Sequence, residues 1–203
     1  MLKLIKIAIT GGVASGKTSV CRVFQELGAF VVDADAIVHE LLSHDTNIRQ
    51  QIIGLLGNEV LIDGKLSRKV IADKVFKNPD ALNALEKLLH PAVLKRIEQL
   101  YEEACRRKAC TAFVVESPLL FEIGHEKLFD IVVAVSCDPS ISRERFSQSG
   151  WSRMEYEKRM KRQLDPALKE QRADYVIENN GSPDHLREQV TQLNKRIQNQ
   201  QIA

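Results

Sequence analysis

Apolar positions along the chain fall into two patterns. Short, nearly continuous runs occur at Leu4-Ile5-Lys6-Ile7-Ala8-Ile9, Ala29-Phe30-Val31-Val32, Thr111-Ala112-Phe113-Val114-Val115, Ile131-Val132-Val133-Ala134-Val135 and Ala173-Asp174-Tyr175-Val176-Ile177. Such runs predict strands, and the most continuous of them are typical of a parallel sheet covered on both faces. Elsewhere apolar groups recur at helical spacing, as in Val20, Val23, Phe24 and Leu27, where Gly28 then supplies a stop. The segment 36–108 contains no confident strand. Its helical stretches are separated by Gly54, Gly57, Asp63-Gly64 and Asn78-Pro79, with Ser67 and Pro79 starting helices and His90-Pro91 expected to end one helix and begin another. Pro166 and Pro183 open two further helices, the second terminal. The pattern predicts an α/β chain with a helical insertion between its second and third strands.

The first strand runs into Gly11-Gly12-Val13-Ala14-Ser15-Gly16-Lys17-Thr18, which satisfies G-x-x-x-x-G-K-[ST] in a strand–loop–helix context. Phosphate oxygens need several converging donors, and glycines let a loop turn its N–H groups inward without Cβ clashes. The following helix points its positive end at the same place. Lys17 is expected to face the surface in the empty loop and to reach the β- and γ-phosphates of a nucleotide, with the Thr18 hydroxyl on Mg²⁺.

Acidic residues close two of the other strands. Asp33-Ala34-Asp35 follows Val32, at the end of a strand where open α/β sheets bind ligands; one of the pair suits catalysis, and Asp35 can serve as N-cap of a helix from Ala36. The strand ending at Asp33 is taken to neighbour the glycine-loop strand. Glu116 ends the third strand as a Walker B acid does, a position for magnesium-bound water. Pro118, Leu119, Leu120 and Phe121 leave that strand at its carboxyl end; core packing accounts for the last three, and their position places them over the site. His90 before Pro91 is, alone, an ordinary turn residue or cap. The segment carrying Arg143, Arg145, Arg153, Lys158, Arg159, Lys161, Arg162 and Gln163 fits a mobile helical flap that shields a phosphoryl group from water, although a solvated surface explains any one of them.

Composition sharpens this only a little. With 203 residues, 44% hydrophobic and 28% charged, the chain can bury a sizeable core, and a net charge of +2 is too mild to argue for nucleic acid. The cysteines, at 21, 105, 110 and 137, form no C-x₂-C pair, so free thiols in a reducing compartment are expected. Lys3 and Lys6 interrupt the first strand and no span of 18 apolar residues occurs, so neither signal peptide nor membrane segment is expected.

Taken together, Thr10 to Thr18, Asp33-Ala34-Asp35 with Ile37-Val38-His39, His90-Pro91, Val115-Glu116-Ser117-Pro118-Leu119-Leu120-Phe121-Glu122, and Ala173-Asp174-Tyr175-Val176-Ile177 with Asn179-Asn180-Gly181-Ser182 resemble the dephospho-CoA kinases in order and spacing. The likeness covers nearly the whole chain; the glycine loop alone is shared by many enzymes, but Asp33-Ala34-Asp35, Pro118 to Glu122 and Ala173 to Ile177 together are quite specific. It implies a P-loop three-layer fold: a nucleotide-binding core of 1–35 and 109–203 with a central parallel sheet flanked by helices, a helical lid at about 138–168, and a helical insertion, 36–108, that holds the CoA moiety. The implied reaction is transfer of the ATP γ-phosphoryl, with Mg²⁺, to the ribose 3′-hydroxyl of dephospho-CoA, the last step of coenzyme A synthesis. The implied setting is a cytoplasmic monomer or small homo-oligomer engaging neither nucleic acid nor membrane.

The resemblance also distributes roles. Asp33 would be the base, Lys17 would act on the migrating phosphoryl, and Arg159, which with Gln163 matches R-x-x-x-Q, would be the lid's charge clamp. Gly11, Gly12, Val13, Ala14, Ser15, Gly16, Lys17, Thr18 and Asn179 would hold the nucleotide, while Asp35, His90, Pro118, Leu119, Leu120 and Phe121 would meet the acceptor. Thr18 and Glu116 would hold the metal. The chain departs from the family pattern where Glu144 and Gln148 replace two lid arginines, with Arg143 and Arg145 flanking the first, and where Glu116 replaces the commoner Asp. A nucleoside or nucleotide kinase is disfavoured by the long insertion and the apolar wall, and a GTPase-like switch by the lack of N-K-x-D and D-x-x-G motifs.

Overall fold

The computed structural model describes residues 3–107 and 109–202; Met1, Leu2, Lys108 and Ala203, at the ends of the expected segments, lie outside the described residues. The chain divides into two compact units, Met1–Asp33 with Glu103–Ala203, and Ala34–Glu102.

The first unit is built on a five-stranded parallel sheet of β1 (Lys6–Gly11), β2 (Phe30–Asp33), β5 (Phe113–Glu116), β6 (Ile131–Ser136) and β7 (Tyr175–Glu178), in the order β2-β5-β1-β6-β7. One face packs under α1 (Lys17–Glu26) and α9 (Pro183–Ile202), where Ile7, Ile9, Val20, Phe24, Val114, Val133, Ile177, Val190 and Ile197 form the main core. On the other face Ala8 and Val132 meet Leu120 and Phe121, and α8 (Pro166–Arg172) covers the strands. The order corrects one expectation. The strand ending at Asp33 does not adjoin β1; β5 lies between them, so of the two strand-end acids it is Glu116, not Asp33, that lies on the strand next to β1.

Local chemistry explains most boundaries. Gly28, at φ 90°, is the left-handed residue after α1, and the Ala29 N–H returns to the Phe24 carbonyl in a Schellman closure. Asp138 caps α6 (Pro139–Gln148), Ser152 caps α7 (Arg153–Met160) and Asp165 caps α8, with Pro at the first helical position of α6 and α8. Each such cap contributes about 1 kcal/mol. At the sheet edge the Gln189 side chain accepts from the Glu178 N–H and donates to its carbonyl, closing the outward backbone groups of β7.

The second unit comprises α2 (Ala34–His44), α3 (Thr46–Leu56), a hairpin of β3 (Leu61–Ile62) and β4 (Lys65–Leu66), α4 (Arg68–Val75) and most of α5 (Pro79–Arg106), around Ile48, Ile52, Val60, Ile71, Val75, Leu85 and Leu89. Three expectations are corrected here. His90-Pro91 does not divide two helices, because α5 continues through Pro91. A proline costs a helix one hydrogen bond and some straightness, and packing on either side of it, by Leu85, Leu89 and Ala92, offsets that. Asp63-Gly64 is the turn of a small hairpin rather than a gap between helices; both residues have positive φ, 49° and 71°, as a two-residue turn of the primed type requires. Finally, α2 begins at Ala34, so Asp35 lies inside its first turn rather than at its cap. Among the described residues no helix is long and apolar enough to cross a membrane.

Candidate active site

The glycine loop spans the end of β1 and the start of α1, and two of its glycines are there for space as well as for conformation. Gly11 has φ 143° and a Cβ on it would stand 2.5 Å from the Val135 carbonyl oxygen; at Gly16, φ 96°, it would stand 1.9 Å from Asn179 Nδ2. Gly12 faces the ring of Pro166. Ala14 also takes a positive φ, 54°, so three positions of the loop, Gly11, Ala14 and Gly16, have positive φ. Thr10 Oγ1 and Ser15 Oγ are buried without a hydrogen-bond partner, two polar atoms at the loop that its own fold leaves unsatisfied.

Lys17 is not surface-facing, as the sequence led us to expect. It is 8% exposed, and its Nζ donates to the carbonyls of Gly12 at 2.8 Å and Gly11 at 3.3 Å. A desolvated ammonium must find acceptors, and the loop's own carbonyls are the nearest ones.

On the β5 side of the loop Thr18 Oγ1 donates to Glu116 Oε1 at 3.0 Å. Glu116 is paired in register with Ile9 on one side and Asp33 on the other, so Asp33, Glu116, Thr18 and Lys17 form one cluster at the carboxyl ends of the strands. Burial pushes the Glu116 carboxyl above the usual carboxylate range; the Thr18 hydrogen bond and the Lys17 charge pull it down, and Asp33 adds a smaller upward push. Asp33 itself is exposed. Cys21, one turn along α1 from Thr18, is buried beneath the cluster, and burial followed by the Glu116 charge drives its thiol well above the ordinary range. All four cysteines are free.

On the opposite side of the loop stands Asn179, 7% exposed, at the end of β7. Its Nδ2 donates to the Ser15 carbonyl at 2.8 Å and its backbone N–H to Ser136, so it clips the loop in place. The flanking arginines separate. Arg143 folds back onto the Pro139 carbonyl, whereas Arg145 Nη1 donates to the Asn179 carbonyl at 3.1 Å and to Cys137 Sγ at 3.4 Å, close to Gly16. Glu144 and Gln148 pair with each other at the surface. Arg145 is thus the arginine of α6 turned toward the loop, which sequence spacing alone left open between two.

Arg159 lies on α7 over the rings of Trp151 and Phe146, and Phe146 packs with Tyr156 against Val13 of the loop. The four residues expected as an apolar wall divide. Pro118 and Leu119 are half-buried, but Leu120 and Phe121, at 0% and 5% exposure, turn into the core beside Ala8 and Val132. Asp35, exposed, and His90, half-buried, belong to the second unit, in α2 and the middle of α5.

One pair escaped sequence reasoning. Lys169 of α8, fully buried, donates to Glu122 Oε1 at 2.8 Å and to the Pro118 carbonyl at 2.6 Å, and the same carboxylate oxygen accepts from the Leu164 N–H at 2.7 Å. Burial lowers the Lys169 pKa while Glu122 holds it up. This post ties α8 and Leu164, just before it, to the turn after β5. No periodicity in the sequence relates the two residues.

Among the described residues no group of three or more His, Cys, Asp or Glu is placed to hold a metal. The donors present are oxygens, the Thr18 hydroxyl and the Glu116 carboxylate, with Asp33 alongside. A hard cation that keeps most of its water and takes its remaining ligands from phosphate fits such a sparse set.

A model of the dephospho-CoA kinase family matches residues 5–185. A dephospho-CoA kinase of Protochlamydia amoebophila is 45% identical over 199 residues, covering 97% of this chain and 98% of its own. A crystal structure from Thermus thermophilus aligns with a TM-score of 0.80 at 31% identity, covering 94% of this chain and 96% of that one. The dephospho-CoA kinase of Campylobacter jejuni aligns with a TM-score of 0.71 at 25% identity, covering 97% and 98%. A match of this reach, on a sheet and glycine loop of this geometry, means that the chain belongs to the dephospho-CoA kinase family.

Proposed function

We propose that the protein transfers the γ-phosphoryl group of ATP to the ribose 3′-hydroxyl of dephospho-CoA, giving coenzyme A and ADP. The observation that carries this reading is the cluster of Lys17, Thr18, Glu116 and Asp33 at the mouth of the glycine loop, in a chain of this family. The loop N–H groups and the positive end of α1 take the phosphates. Lys17 exchanges the Gly11 and Gly12 carbonyls for phosphate oxygens, a swap of acceptors for a charge that is already desolvated, and stabilises the migrating group.

Asp33, exposed at the strand end beside Glu116, is the carboxylate that orients the 3′-hydroxyl and accepts its proton as the bond to phosphorus forms. Thr18 and Glu116 are the residues that would hold Mg²⁺, which supplies charge neutralisation on the phosphate oxygens when bound. Arg159 of the lid offsets charge on the transferred group. Pro118 and Leu119 contact the acceptor, and the helical unit, Ala34–Glu102, holds the CoA moiety with Asp35 and His90 contributing. Four unbridged cysteines suit the cytoplasm.

A coupled ADP-release assay with dephospho-CoA, adenosine, AMP and pantetheine tests the reading. Turnover is expected with dephospho-CoA alone. Turnover confined to AMP or adenosine would overturn it.

A further inference from the structure

Arg159 has an unusual seat for a residue assigned to phosphate chemistry. Its guanidinium carbon lies 4.6 Å from the centroid of the Trp151 ring and 5.4 Å from that of Phe146, while its approach to Glu155, Nε to Oε1, is 3.9 Å, beyond hydrogen-bond distance. The two rings stack on each other at 6.2 Å and 28°. Phe146 is buried, meets Tyr156 edge-on at 5.5 Å, and packs with it against Val13 and Ala14 of the glycine loop. The Tyr156 hydroxyl is fixed in turn by Ser142 at 2.8 Å. Trp151, the chain's single tryptophan, is 49% exposed in the loop after Gly150, with one face against Phe146 and Arg159 over its ring.

A salt bridge and an aromatic face hold an arginine differently. Carboxylate partners occupy the in-plane N–H donors, whereas stacking on a ring uses the flat face and leaves the fork of donors for a phosphate. A clamp that must be steady before its ligand arrives, yet keep its donors unspent, is therefore best held by rings.

We infer that Trp151, with Phe146 behind it, is a positioning residue that sets the Arg159 guanidinium relative to Val13 of the glycine loop. The inference rests on Arg159 being the lid's charge clamp. It gives Trp151 an effect on the chemical step through Arg159.

The test is steady-state kinetics of ADP release on the full-length protein, with thermal melting alongside, for Trp151→Ala, Trp151→Leu, Trp151→Phe, Arg159→Ala and the Trp151→Ala/Arg159→Ala double variant. Trp151→Ala should lower kcat about tenfold, with KM for both substrates nearly unchanged. Trp151→Phe should restore most of the loss and Trp151→Leu, apolar but without a π-face, should not. In the double variant kcat should fall no further than with Arg159→Ala alone, and tryptophan emission should change on Arg159→Ala. Wild-type kcat in Arg159→Ala overturns the clamp reading itself. A large loss in Arg159→Ala beside wild-type kcat in Trp151→Ala overturns the positioning role alone, as do equal rescue by Leu and Phe, additive losses, or emission indifferent to Arg159.

Discussion

Asp33 and Glu116 occupy paired positions on adjacent parallel strands, and two carboxylates therefore leave the sheet side by side on the face that α1 covers. Their surroundings differ. Glu116 is buried and tied to Thr18, while Asp33 is exposed at the strand end. Pairs of like groups in unlike environments are how one site divides two tasks between the same functional groups. Here the buried acid is held by Thr18 of the glycine-loop helix, and in the proposed reaction the exposed one meets the acceptor.

Lys17→Ala should cut kcat by about 10³-fold or more, since it removes the ammonium that the Gly11 and Gly12 carbonyls hold inside the loop, where it can stabilise the transferring group. Because Nζ is buried against two loop carbonyls, the variant should also lose about 1 kcal/mol of stability rather than none. ADP release and chemical denaturation measured together check both halves. Half of wild-type kcat would remove the loop from the reaction centre.

Asn179 reports on the other side of the loop. Asn179→Ala removes the bond to the Ser15 carbonyl and should raise KM for ATP several-fold, leaving KM for dephospho-CoA unchanged. Asn179→Asp should be worse than alanine, since it sets a carboxylate oxygen against a carbonyl oxygen in a buried place. Equal KM values for ATP across wild type and both variants would show that the clip does not shape the nucleotide site.

What the chain made legible was chemistry local to a few residues. Gly11 to Thr18, the caps at Ser67, Pro79, Pro166 and Pro183, the stop at Gly28 and the buried strands all lie where their side chains and φ preferences place them. The misses were non-local. The position of β5 between β1 and β2 depends on which strands meet in space, and nothing in Ala29 to Asp33 encodes it. Pro91 was read as a break, yet Leu85, Leu89 and Ala92 hold the helix on both sides of it. Asp63-Gly64 did carry a hairpin signal, obscured because its strands are only two residues each. In the site, Leu120 and Phe121 turned inward to pack with Ala8 and Val132, a contact set by the opposite face of the sheet.

The buried pair of Lys169 and Glu122 should behave as a structural post. Lys169→Met strands a carboxylate that then holds only the Leu164 N–H, and the expected cost is about 3–5 kcal/mol in denaturant unfolding. Adding Glu122→Leu to Lys169→Met should recover part of that loss, because replacing both charges leaves neither uncompensated. Losses that simply add would mean that the two side chains do not share one interaction.

The last expectation separates the two carboxylates. Asp33→Asn should lower kcat about 10²- to 10⁴-fold, the usual worth of a positioned general base, while KM for each substrate changes little. The substitution is a clean one, because Asp33 stands one residue before α2 and Asn serves as well as Asp at such a position, so melting should be unchanged. Glu116→Gln keeps an oxygen near Thr18 but removes the charge, and should raise the Mg²⁺ concentration needed for half-maximal rate, with saturating Mg²⁺ returning much of the activity. Asp35→Asn, inside the first turn of α2, should leave kcat close to wild type. A Mg²⁺-rescuable defect at Asp33 with an unrescued loss of kcat at Glu116 would exchange the two roles. Near-normal kcat in both would leave phosphoryl transfer to positioning and charge neutralisation by Lys17 and the lid, with neither acid taking the proton.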